Sequence, residues 1–74
     1  MISAHEWSLK RLAGIVRGYL NAEKWATERR LEGEIKSHSI EELKEVLNSP
    51  RFSYLLTINN ERLNHIRRKF LDNQ

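Results

Sequence analysis

Apolar residues in this chain recur at spacings of three and four almost from end to end, and no long run of apolar–polar alternation competes with them. That period is the mark of helices packing one face on a core. Capping patterns divide the periodic stretches. Ser3-Ala4-His5-Glu6 reads as a capping box, with the Ser3 hydroxyl accepting from the amide of residue 6 and Glu6 reaching back to the Ser3 amide. Behind it Leu9, Leu12, Val16, Tyr19 and Leu20 fall on one helical face, with Ala13 and Ile15 beside them. Ser39-Ile40-Glu41-Glu42 is a second capping box after the polar connector Ser37-His38, and it opens a helix of about residues 40–48 on Ile40, Leu43, Val46 and Leu47. At Asn48-Ser49-Pro50 the proline disfavours helix at Ser49 yet suits the first helical position, so Ser49 reads as an N-cap. Phe52, Leu55, Leu56, Leu63, Ile66 and Phe70 follow. The series 52, 56, 59, 63, 66, 70 has the spacing of a heptad seam with Asn59 inside it.

Two stretches leave the helix boundaries open. After Asn21 the stripe loses coherence: Ala22, Trp25 and Ala26 lie on one side, and Leu31 and Ile35 roughly opposite. The helix formers of 22–32 favour one helix over about residues 4–36. Gly14 and Gly18 inside it each cost about 1 kcal/mol relative to Ala and mark either a close helix crossing or a weak point. Thr57-Ile58-Asn59-Asn60-Glu61 offers a similar choice between continuation and a capped restart. The expected fold is all-α: an antiparallel helical hairpin with a long N-terminal helix, a turn at 37–39 and a C-terminal half kinked at Pro50. A lone hairpin half-covers its apolar stripes, so two copies are expected to pair as a four-helix bundle, a homodimer with Asn59 setting its register. The alternative is a compact three- or four-helix bundle with breaks near 18–21 and 57–60. Residues 1–74 are expected to form a single helical domain.

Composition narrows function mainly by exclusion. The hydrophobic fraction of 39% is too high for a disordered chain. There are no cysteines for disulfides or thiolate metal ligands. His5, His38 and His65 are dispersed and read as solvated or capping groups, so neither a metal nor a cofactor is expected. G-x-S-x-G, P-loop and G-x-G-x-x-G patterns are missing. The pairs Glu28/Glu32 and Glu41/Glu45 sit near Lys or Arg as a salt-bridged helix face. The chain is therefore expected not to be an enzyme. No apolar run approaches the ~20 residues of a membrane span. The start, Met1 to Glu6, has no signal-peptide pattern. A charged fraction of 31% fits a cytoplasmic protein.

Charge is more informative in its distribution than in its net value of +3. Residues 1–20 carry +2, residues 21–47 carry −2 with seven glutamates, and residues 48–74 carry +3. In a hairpin the basic ends would meet at one pole, with the acidic middle at the turn. Lys10, Arg11, Arg17, Arg62, Arg67, Arg68 and Lys69 are the candidate binding residues of that pole, facing an anionic protein or nucleic-acid partner. Trp7 and Trp25 lie off the main apolar face and are candidates for an aromatic docking surface. The expected function is a small regulatory or adaptor protein that binds a larger macromolecule. The alternative is a nucleic-acid-binding protein using its basic C-terminal helix, with phosphate contacts from Arg62, His65, Arg67, Arg68 and Lys69.

Overall fold

The computed structural model describes residues 3–72, and Met1, Ile2, Asn73 and Gln74, at the edges of the expected domain, lie outside them. Five helices follow in order: α1 (Ala4–Leu20), α2 (Glu28–His38), α3 (Ile40–Asn48), α4 (Pro50–Ser53) and α5 (Asn60–Ile66). The last runs on into a π-helical turn, Arg67–Leu71, in which the Asp72 amide donates to the Arg67 carbonyl. The regular structure is all helical, and no helix among the described residues is long and apolar enough to cross a membrane.

Each helix starts on a side chain that accepts one of its unpaired amides. Ser3, Ser39 and Ser49 do so for the amides of Glu6, Glu42 and Arg51 at 3.1–3.2 Å. Thr27 caps α2 through the Arg30 amide, and Asn59 caps α5 through the Arg62 amide. Asn59 is thus a helix start rather than a seam position, and the heptad series through it is interrupted between α4 and α5.

The continuous helix over 4–36 is not formed. It would measure roughly 50 Å, whereas the longest dimension of the molecule is 34 Å. The chain leaves α1 through a Schellman turn: the Ala22 amide donates to the Tyr19 carbonyl and the Glu23 amide to the Gly18 carbonyl. Ala22 takes the left-handed conformation, φ 56°, which Gly or Asn usually fills. The break has a packing cause. One straight helix would carry Leu31 and Ile35 roughly 20–35 Å along its axis past Val16 and Leu12; the turn folds both back into the core with Ala26. Burial of those three side chains outweighs the helix propensity of 22–32.

At the α2–α3 corner one residue, Ser39, ends one helix and caps the next. Its backbone, φ 142° and ψ 159°, is a strained conformation for a residue with a Cβ. The result is the compact alternative rather than a two-helix hairpin. α1 packs on α2 and α3, and α3 also meets α4 and the C-terminal turn. One hydrophobic cluster forms, and the large apolar side chains left exposed among the described residues are Trp7, Trp25, Tyr54 and Ile58. The half-covered stripe that called for a paired hairpin is therefore filled within one chain, and with it goes the register role of Asn59.

Candidate functional site

The buried side of α1 is Leu9, Leu12, Ala13, Val16 and Leu20, and its opposite side is Trp7, Lys10, Arg11, Gly14 and Arg17, all exposed. At 100° per residue these five share one outward face. Trp7 is at its N-terminal end, 62% exposed. At the other end the indole of Trp25 folds back from the 21–27 loop onto Gly18, where a Cβ would lie 2.5 Å from a ring carbon. Gly18 thus meets an indole ring from the adjoining loop rather than a crossing helix. Glu23 accepts from the Trp25 indole N–H, and the Arg30 guanidinium stands 5.6 Å from the ring centroid.

Lys10, Gly14 and Arg17 also form one wall of an open groove of ≈ 500 Å³, whose other wall is Arg51, Tyr54 and Leu55. Tyr54, 71% exposed, gives this wall an aromatic rim. Arg51 is held by Glu6 at 3.1 and 3.4 Å. That guanidinium keeps the Glu6 carboxyl below its usual range, with a smaller contribution from Lys10. Arg11 pairs with Glu34 at 3.3 Å on the far flank. Among the described residues, Lys10 and Arg17 have no ion pair or side-chain hydrogen bond.

The other four candidate cations are placed differently. Arg62 donates to the Tyr19 carbonyl at 3.2 Å and stacks over the Tyr19 ring. Arg67 donates to the Leu47 carbonyl and the Asn48 side chain, closing the C-terminal end of α3. Lys69 bonds Glu28 and Glu32 of α2, and His65 also meets Glu28. Arg68 is exposed beside Asn64 and Asp72. The acidic middle segment does not form a separate pole. The break at 21–27 lays α2 beside the C-terminal helix, so its glutamates pair with the basic ends. The seven cations therefore do not converge: Lys10, Arg11 and Arg17 join Trp7 and Trp25 on and beside α1, and the C-terminal four are mostly tied into the fold.

A polar cluster not apparent from sequence lies on the Arg11 flank. The Ser8 hydroxyl donates to Glu42 Oε2 at 2.6 Å, and His38 Nδ1 is 2.8 Å from Ser8 Oγ and 3.0 Å from the same carboxylate oxygen. The His38 side chain is only 8% exposed, with Glu34 at 3.8 Å on its other nitrogen, so this histidine is enclosed rather than solvated. Serine and Glu42 meet a single ring nitrogen, whereas a serine–histidine–acid relay uses both. The cluster ties α1 to the α2–α3 corner. Ser8, first, and then His38 hold the Glu42 carboxyl below its ordinary 4.5. A depressed carboxyl contributes stability that is present above its ordinary value and is lost as pH falls through the folded-state value. Ser8→Ala is expected to cost about 1–2 kcal/mol at pH 7. In thermal melts its deficit relative to wild type should shrink as pH falls below 4.5; a deficit independent of pH would assign Ser8 to packing alone.

The sequence marks neither Arg51 nor Gly14 as a binding residue, and Tyr54 only, with Trp7 and Trp25, as a ring able to stack on bases. The signal for Gly14 was available in a helix-interior glycine lying between two cations, but Arg51 and Tyr54 reach this face only through the turn at Pro50. Comparison with family models, with curated proteins and with solved structures finds no match for this chain.

Proposed function

We propose that this protein is a small non-enzymatic binding protein, regulatory or adaptor in type, that docks on an acidic surface of another protein through the outward face of α1. The observation carrying this reading is that Trp7, Lys10 and Arg17 stand exposed along one face of α1, with Arg11 on its flank and Trp25 beside its C-terminal end. Exposed tryptophan and arginine are the side chains that most often carry binding energy at protein interfaces, and flanking cations steer an acidic partner into place. The nucleic-acid alternative has less support, because Arg62, Arg67 and Lys69 are committed to internal carbonyls and carboxylates. The cytoplasm is the proposed compartment on composition alone: no cysteine and abundant charge.

Immobilised protein and native extract test this directly. Trp7→Ala, and separately the pair Lys10→Glu with Arg17→Glu, should each cut partner recovery at least roughly tenfold, the loss expected of a binding hot spot. Arg68→Glu should retain the partner, and nuclease treatment should not release it. Recovery that vanishes with nuclease, falls steeply with salt and depends on Arg68 instead would establish the nucleic-acid reading. Arg68 is the better control than Arg67, whose reversal would also remove the bonds to Leu47 and Asn48.

A further inference from the structure

We infer that the partner presents an acidic α-helix, which crosses α1 at Gly14 with its carboxylates between Lys10 and Arg17. The inference rests on the docking face proposed above and names what occupies it.

Charge selects the occupant first. Lys10 lies one turn before Gly14 and Arg17 one turn after it, about 10 Å apart along the axis, with Arg11 on the opposite flank. All three are exposed. A second copy of α1 would set these cations against their own kind, so the face is unsuited to a symmetric dimer. An acidic surface answers Lys10 and Arg17; Arg11 already pairs with Glu34.

Gly14 selects the shape. It sits inside α1, where glycine costs about 1 kcal/mol relative to alanine. A Cβ built there meets nothing within 4 Å, whereas one at Gly18 would collide with Trp25. Packing within the chain therefore explains Gly18 and leaves Gly14 without a cause, as it does Gly33 of α2; Gly14 differs in lining the groove with Tyr54 and Leu55. The missing side chain leaves a notch in the helix surface between two cations. A ridge from another helix fits such a notch and brings the two axes closer than the usual 8–10 Å. A phosphate gains less from it, because amides in a helix interior are already bonded to carbonyls and have no donor to spare. Trp7 and Tyr54 on either side supply apolar contact for the crossing helix.

The test is selection from a naive phage-displayed library of sixteen-residue peptides built on a helix-favouring frame, with the wild-type protein as bait. The enriched peptides should carry Asp or Glu three or four positions to either side of a small residue. A synthetic peptide of the enriched sequence should bind Gly14→Leu at least tenfold more weakly than wild type, although Gly14→Leu should melt no lower than wild type. It should also bind the Lys10→Glu, Arg17→Glu pair at least tenfold more weakly, and exchanging its carboxylates for lysines should restore binding to that pair. No enrichment, enrichment without acidic residues, or equal binding to Gly14→Leu would overturn the helix crossing. If binding of the extract partner still depends on Trp7, Lys10 and Arg17, the docking face stands without it; if neither peptide nor partner responds to any of these variants, both readings fall. A twenty-nucleotide thymidine strand that displaces every selected peptide at physiological salt would also overturn the helix crossing, in favour of nucleic acid.

Discussion

Leu43→Ala is expected to lower the stability of this protein by about 2–5 kcal/mol, the range for truncating a fully enclosed leucine. Leu43 has no exposed surface, and it lies on α3, the helix that α1, α2, α4 and the C-terminal turn all pack against. α3 has only nine residues and would not persist in isolation, so its stability comes from those neighbours. A chain of this size has roughly 4–11 kcal/mol to lose in total. The variant should unfold at a far lower urea concentration than wild type with a similar slope, or be largely unfolded in buffer. Leu55→Ala, at a partly buried position beside the core, should cost clearly less. Equal losses at the two sites, read from urea titrations followed by circular dichroism, would contradict the central place given to α3.

The second large effect separates two glycines on one helix. Gly18→Leu is expected to destabilise by up to about 2 kcal/mol, the penalty for forcing volume into a filled space less the helix propensity gained on losing a glycine. Its side chain must displace the Trp25 ring, 2.5 Å from the new Cβ, and press on the Ala26 methyl at 3.2 Å. Ala26 anchors the 21–27 loop, which returns Leu31 and Ile35 to the core. Gly14→Ala, four residues earlier, should instead stabilise by about 0.5–1 kcal/mol, because it removes the glycine penalty without a clash. In a Trp7→Phe background, Trp25 fluorescence should shift to the red in Gly18→Leu and stay in place in Gly14→Ala. Matching signs for the two glycines would show that Trp25 does not rest on α1 as described.

Much of the helix punctuation was legible in the chain. Ser3, Ser39 and Ser49 stand at cap positions in the sequence pattern and act as caps, because capping depends on a hydroxyl and an amide only two or three residues apart. The α1 core face followed from spacing for the same local reason. The break after α1 runs against local propensity. Its left-handed residue is an alanine, Ala22, and its N-cap, Thr27, follows a stretch of strong helix formers. Asn59 had both a seam reading and a cap reading, and local pattern could not choose between them.

The candidate site divides along the same line. Which side of α1 faces outward is a matter of period, so the exposure of Trp7, Lys10, Arg11 and Arg17 was determined by sequence order. Tertiary structure decided what those residues share the surface with, and which other cations remain available. His65, Arg62, Arg67 and Lys69 form a basic flank in one dimension. Three-dimensional packing brings Glu28, the Tyr19 carbonyl, the Leu47 carbonyl and Glu32 against them. Ser8 and His38, thirty positions apart, meet over Glu42 for the same reason. Caps and helix faces are interactions over three or four residues and are encoded locally. Ion pairs between helices depend on how the whole core closes, and here it closes by breaking the chain where local propensity favoured continuing it.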